Sequence, residues 1–71
     1  MKKIILIEGM HCNHCTGRVN DTLASLPGVE KVKVDLKKKN AVIKCNDQLS
    51  NDTIKNSITK LGFEVLEIKE K

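Results

Sequence analysis

Aromatic residues are almost absent from this sequence. It contains no tryptophan or tyrosine, and Phe63 is its single phenylalanine. Proteins that read single-stranded RNA or DNA stack bases on aromatic side chains, so a base-stacking platform cannot be assembled here. We therefore expect no nucleic-acid partner, and we interpret the formal net charge of +4 as a source of solubility and partner steering.

Long hydrophobic runs are also missing. The most apolar stretch, residues 4–7, is far shorter than the roughly 20 residues of a membrane-spanning helix. It is also too short for the core of a secretory leader, and no small-residue cleavage site follows it. The sequence thus predicts a cytoplasmic protein without membrane insertion.

The length allows one small domain, residues 1–71, because a second hydrophobic core would leave both cores too small to be stable. Hydrophobic residues make up 39% of the chain and charged residues 31%, which is an ordinary balance for a globular protein. A large enclosed active site is not expected in a domain of this size.

Apolar periodicity predicts two helices. The first begins near His14 and ends before Pro27-Gly28, and the second has Ser50 as its N-cap and ends at Gly62. The predicted apolar stripes are Cys15, Val19, Leu23 and Leu26 in the first helix, and Ile54, Ile58 and Leu61 in the second.

Alternation of apolar and polar residues predicts four strands. The first covers residues 4–8, the second and third form a hairpin around a polar turn at 37–40, and the last covers 63–68. The last strand breaks the alternation, so the pattern does not decide which of its side chains face the core. The predicted inward sets are Val32, Val34 and Leu36, then Ala41, Ile43 and Cys45, with either Ile5 and Ile7 or Ile4 and Leu6 from the first strand.

The predicted order of elements is strand, helix, strand, strand, helix, strand. This order is typical of the α+β ferredoxin-like plan, in which both helices cover one face of a four-stranded antiparallel sheet.

Cys12 and Cys15 are too close in sequence to join distant parts of a fold, and three cysteines do not suit a disulfide framework. One lies in a loop and the other in the opening turn of a helix, whose N–H groups favour thiolates. Two thiolates suffice for nearly linear Cu(I), whereas structural zinc and iron–sulfur clusters normally need four ligands. The sequence therefore predicts a Cu(I) site with Cys12 and Cys15 as its metal ligands.

The segment G-M-H-C-N-H-C at residues 9–15 resembles the G-M-x-C-x-x-C signature of the heavy-metal-associated domain family. That family comprises soluble copper chaperones and the N-terminal metal-binding domains of copper-transporting P-type ATPases. The segments L-P-G-V at residues 26–29 and L-G-F at 61–63 extend the resemblance over essentially the whole chain. The resemblance implies the βαββαβ fold, with Cys12 and Cys15 as ligands.

The same resemblance implies a cytosolic Cu(I) chaperone that passes copper by thiolate exchange. The expected receivers are the metal-binding domain of a copper-transporting P-type ATPase and a copper-responsive repressor, and the carrier is expected to be a monomer or a copper-bridged dimer. Phe63 stands where bacterial chaperones usually carry tyrosine, and phenylalanine there also resembles ATPase domains. An ATPase metal-binding domain is thus one alternative, and a mercury-binding carrier, which His14 disfavours, is another.

Five further residues near the motif or in the strands have competing interpretations. Met10 is expected to be a buried plug under the loop, as the resemblance implies, and His11 a surface residue. His14 is a solvated residue, a tuner of thiolate basicity or a third ligand. Cys45 is expected to be a small buried hydrophobe, and Phe63 to serve both the core and the shielding of the metal.

A C-x-x-C pair at a helix start also suits a thiol–disulfide exchange enzyme. However, the chain is short for that fold, no aromatic residue precedes the pair, and Pro27 lies far from it in sequence. We therefore predict that the protein is not an enzyme.

The lysines at 37–39 form either a solvated turn or, with Arg18 and Lys60, a basic patch that meets an acidic partner.

Overall fold

The computed structural model describes residues 1–11 and 13–70. The predicted order of elements is confirmed: β1 (Lys2–Glu8), α1 (Asn13–Ala24), β2 (Val29–Asp35), β3 (Asn40–Cys45), α2 (Asn51–Lys60) and β4 (Glu64–Glu70). The ends differ from the prediction. β1 begins at Lys2 instead of residue 4, and β4 runs from Glu64 to Glu70 instead of 63–68. Leu26 and Leu36 lie in turns, and Asn40 already belongs to β3.

One antiparallel sheet holds all four strands, in the order β2-β3-β1-β4. Ile5 and Ile7 of β1 are completely buried, whereas Ile4 and Leu6 are only half-buried. Successive side chains of a strand point to opposite faces, so the first pair faces the helices and the second faces outward. This settles the choice that the alternation of β1 leaves open.

An irregularity in the pairing of β1 with β4 explains the broken alternation of the last strand. Leu6 pairs with Glu67 and the next residue, Ile7, with Val65, so Leu66 is an extra residue on β4. Val65 and Ile68 pack against the core on either side of it, while Leu66 is 57% exposed. The bulge lets two non-alternating residues of one strand face inward.

The core lies between the sheet and the two helices. Val19 and Leu23 of α1 and Ile54 and Ile58 of α2 are fully buried, as their spacing predicts. Cys45 is also fully buried, which confirms its expected place in the core. The complete buried apolar set is Ile5, Ile7, Met10, Val19, Leu23, Ala41, Ile43, Cys45, Leu49, Ile54 and Ile58.

The second helix begins and ends where its capping residues predict. The backbone N–H of Thr53 donates to the hydroxyl of Ser50 at 3.2 Å, which satisfies one of the unpaired donors of the first turn. Gly62, with φ at 96°, follows Leu61 at the helix end.

Lys3 is a buried lysine that the sequence pattern does not predict. It is 3% exposed, and its ammonium donates to the carbonyl oxygen of Leu49 at 3.1 Å and to Oδ1 of Asn51 at 2.6 Å. These bonds join the start of β1 to the start of α2. In the described part of the chain, no helix has the length and apolar character needed to cross a membrane.

Candidate metal centre

The loop between β1 and α1 carries the predicted metal motif. It begins at Gly9, whose φ of 106° lies in a region that side-chain-bearing residues rarely adopt. Met10 follows and is 3% exposed within the apolar core. The predicted burial of Met10 is therefore confirmed, and this side chain anchors the loop to the body of the domain.

Cys15 lies in the first turn of α1, which begins at Asn13. Its side chain is half-buried against the core, and Val19 and Leu23 continue the same stripe along the helix. Cys15 is thus the member of this apolar stripe that lies nearest the N-terminal end of α1. Cys12, the other predicted ligand, lies outside the described residues.

The start of α1 provides a favourable electrostatic setting for a thiolate. The N–H groups of a helix's first turn have no partner within the helix and carry a partial positive charge, and the first turn of α1 holds no acidic side chain. Such a terminus favours the charged form of a cysteine over the neutral thiol. A soft thiolate at this place is suited to a soft metal ion.

Phe63 packs beside the loop at the same end of the sheet. It is half-buried, contacts the core, and immediately precedes β4, which pairs with β1 up to Glu8. A methyl group built on Gly9 would lie 3.2 Å from Cδ1 of Phe63, so the ring is pressed close to the loop backbone. The core role expected of Phe63 is confirmed; its shielding of a metal stays a prediction.

The contact between Gly9 and Phe63 is the feature of the site that sequence reasoning missed. The two residues are far apart in the chain and meet only because β4 pairs with β1. The signal in the sequence was the glycine directly after the first strand, which indicates either a positive φ or a close approach of another group. Both occur here.

The polar neighbours of the motif are exposed. His11 is a surface residue, as expected, and His14 is an exposed residue in the first turn of α1. Arg18, Lys60 and the lysines at 37–39 are exposed as well. All of these side chains are exposed and therefore accessible to a partner. That the basic ones act together as one patch stays a prediction, which the salt dependence of transfer kinetics would test.

The chain belongs to the heavy-metal-associated domain family, whose model matches residues 4–64. It is 40% identical to the copper chaperone CopZ of Enterococcus hirae over 65 residues, an alignment that covers 90% of this chain and 94% of that protein. A probable copper-exporting P-type ATPase of Archaeoglobus fulgidus is 32% identical over 68 residues, which are 94% of this chain and 8% of the ATPase. A solved CopZ metallochaperone superposes with a TM-score of 0.89 at 27% identity, covering 93% of this chain and 100% of that one.

Proposed function

We propose that this protein is a cytosolic copper chaperone that binds one Cu(I) through the thiolates of Cys12 and Cys15. The observation that carries the proposal is the position of Cys15, half-buried in the first turn of α1, in a chain 40% identical to a named copper chaperone. Cys12 precedes it by three positions, a spacing that lets two sulfurs reach one ion.

Transfer is proposed to occur by thiolate exchange. A metal with two sulfur ligands near the surface has room for an incoming thiolate, so a partner's cysteine adds before either original sulfur leaves. Met10 is excluded as a ligand in this proposal because its side chain is committed to the core. The proposed receivers are the metal-binding domain of a copper-transporting P-type ATPase and a copper-responsive repressor.

The two cysteines are proposed to have unequal roles. Cys15 is held by a helix whose next turns are buried, so it is the anchored ligand, and Cys12 leads the exchange. Transfer rates to an ATPase metal-binding domain, measured for Cys12→Ser and Cys15→Ser, test this idea. Equal losses in the two variants would count against it, and so would a rate that depended on neither.

The binding proposal is tested by competition between the protein and a Cu(I) chelator, with a parallel titration by Zn(II) and native mass spectrometry. We expect one copper per chain, weak zinc binding, and much weaker copper binding in each motif variant. Cys45→Ser is the matched control, because it removes a thiol from the core and should leave the stoichiometry unchanged. Tight zinc binding without copper binding would overturn the proposal.

Two alternative functions have specific tests. The 32% identity to an ATPase is compatible with a metal-binding domain of a pump, and antibody detection in source cells would then find a protein far larger than 8 kDa. A mercury-binding carrier would keep its ion against a copper-loaded partner.

The role of His14 as a third ligand is checked by His14→Gln, which should leave copper affinity within about twofold if the residue is only solvated.

A further inference from the structure

The whole net charge of this protein lies in the hairpin formed by β2, β3 and the turn between them. Residues 29–45 contain six of the thirteen basic residues and two of the nine acidic ones. The hairpin therefore has a formal charge of +4, equal to that of the whole chain, and the remaining residues are neutral in sum. All six lysines are exposed, so the charge is concentrated on one accessible part of the surface.

Three lysines form a row across the face of the sheet opposite the helices, the open face. Lys31 of β2 stands directly opposite Lys44 of β3, and Lys44 stands opposite Lys2 of β1. Successive side chains of a strand point to opposite faces, and the strand neighbours of Lys44 are buried under the helices. The row therefore points outward. With Lys33 and Val42 it lines a hollow of about 360 Å³ between β2 and β3.

This hollow continues along the strands to the turn of the hairpin. A second hollow of about 210 Å³ shares Lys33 and Val42 with the first and extends to Lys38 of the turn. Ile4 adds a second half-buried apolar side chain to it. The two hollows follow β2 for about four residues, or roughly 13 Å, before the turn. We name them together the lysine groove, which has basic side chains along its length and an apolar centre.

The hairpin contains two carboxylates, and neither forms an ion pair with a lysine of the groove. Asp35 lines the groove near the turn, where its Oδ1 accepts the backbone N–H of Lys38 at 3.0 Å. Glu30 is the extra residue in the irregular pairing at the other end of β2. Among the described residues, neither ion pair of the protein involves a lysine of the groove. The positive charge of the groove is therefore largely uncompensated.

The row of lysines is unfavourable for the protein by itself. Like charges that stand directly opposite each other on neighbouring strands destabilise a sheet, and the row contains two such contacts. Lysines on an edge strand prevent its pairing with another sheet, which explains Lys31 and Lys33 on β2. Lys44 and Lys2 lie on the inner strands β3 and β1, so edge protection does not explain them. An anion bound across the row would relieve the repulsion.

We propose that the lysine groove binds an extended acidic segment of another protein, with an apolar side chain among its carboxylates. The carboxylates contact the lysines on either side, and the apolar side chain covers Val42 and Ile4. An extended chain advances about 3.3 Å per residue, so a segment of four to six residues spans the groove.

The surroundings of the groove favour a chain over a planar partner. Glu8 and Glu64 pair with each other on the open face, and Glu67 lies beside Leu6 on β4. An anionic membrane pressed against the whole face would meet repulsion from these carboxylates, whereas a chain confined to the groove avoids them. Polyphosphate or a nucleic-acid backbone would neutralise the lysines but would leave Val42 uncovered. An acidic segment with an apolar residue matches both properties of the groove.

The lysine groove is a different surface from the basic patch that includes Arg18 and Lys60. Those two residues belong to α1 and α2, which cover the other face of the sheet. No residue that lines the groove is a proposed metal ligand. The proposal therefore does not rest on the proposed function, and it is tested on metal-free protein.

The test is titration of the reduced, metal-free protein with a hexapeptide of five glutamates and one central leucine, followed by heteronuclear NMR. Because exposed ion pairs are individually weak, we expect a Kd of about 0.1–1 mM at low salt, with shift changes confined to the groove. Raising the salt from about 0.05 M to 0.5 M should weaken binding several-fold, because exposed charges are screened. No binding at about 5 mM peptide, or shift changes centred on Arg18 and Lys60, would overturn the proposal.

Removal of charge from the row gives a sharper arm. Lys31→Gln/Lys44→Gln should weaken peptide binding about fivefold or more. It should also raise the melting temperature of the free protein, because it removes repulsion between neighbouring strands. Lys55→Gln/Lys60→Gln on α2 is the matched control, with the same change in net charge, and should keep the peptide affinity within about twofold. Equal losses of affinity in the two double variants, or a row variant that loses stability, would contradict the proposal.

The apolar centre is tested separately. Val42→Thr keeps the shape of the side chain but replaces a methyl group with a hydroxyl, and should weaken binding of the leucine peptide about threefold. A second hexapeptide with serine in place of leucine should bind the wild type more weakly and should not distinguish Val42→Thr from it. Equal binding of the two peptides to the wild type would overturn the apolar contact. Tighter binding of polyphosphate or of phosphatidylglycerol vesicles than of the leucine peptide would overturn the choice of partner.

Discussion

Replacing Cys45 separates the two roles that a third thiol can have, metal ligand and core residue. Its side chain is fully buried, it lies at the end of β3 opposite Val29, and its backbone N–H donates to the carbonyl oxygen of Met1 at 2.9 Å. Cys45 is a free thiol among the described residues. We therefore expect its substitution to change stability and not copper stoichiometry.

The magnitude follows from the burial. Cys45→Ala removes the buried apolar surface of one sulfur atom, which contributes about 1 kcal/mol to the free energy of unfolding. Cys45→Ser replaces the sulfur with a smaller hydroxyl, and burying that polar group costs about a further 1–3 kcal/mol. In a domain of this size each kcal/mol lowers the melting temperature by about 4–8 °C. The serine variant should therefore melt well below the alanine variant, and both below the wild type.

The assay is urea unfolding of the reduced, metal-free protein, followed by Cu(I) titration of the folded variants at a temperature where all are native. Both variants should bind one copper with wild-type affinity. A Cys45→Ser protein that unfolds like the wild type but binds copper weakly would refute the reasoning, because the thiol would then act at the metal and not in the core.

Three further predictions concern the stability of the fold. Gly9→Ala should lower the free energy of unfolding by about 1–3 kcal/mol, since it combines a positive φ with a methyl group 3.2 Å from Phe63. Gly17→Ala, in open space on α1, is the control and should instead stabilise the protein by about 0.5–1 kcal/mol. Equal effects of the two substitutions in urea unfolding would contradict this prediction. Ser50→Ala should cost about 1 kcal/mol through the lost N-cap, measured in the same way, and no loss would mean that the cap is replaced by water. Lys3→Met should cost about 1–3 kcal/mol because it leaves the buried carbonyl oxygen of Leu49 and the part-buried Oδ1 of Asn51 without their donor. Faster hydrogen exchange in the first turn of α2 is the confirming signal, and unchanged exchange would contradict the prediction.

Local patterns were sufficient to predict the elements of this fold. The stripe from Cys15 to Leu23, the cap at Ser50 and the alternation through Ala41 and Cys45 each depend on near neighbours in the chain, and all are found in the structure. The predicted ligand pair likewise depends only on the spacing of two cysteines and on a helix start. Such features are visible in sequence because helix and strand periodicities arise within a few residues.

Tertiary pairing decided the features that no local pattern contains. The helices cover Ile5 and Ile7, and this decides which face of β1 points into the core. The bulge at Leu66 decides which side chains of β4 point inward. The approach of Phe63 to Gly9 arose from the same pairing. Each depends on contact between segments distant in the chain, where alternatives have equal local propensity and only packing distinguishes them.

The same division applies to Cys12 and Cys15. The sequence by itself determined that two cysteines lie three positions apart, because that depends on residue type and spacing, and their role as metal ligands stays a prediction. Only the tertiary structure brought Phe63 against Gly9 of the loop before α1, because the two residues meet through the pairing of β4 with β1.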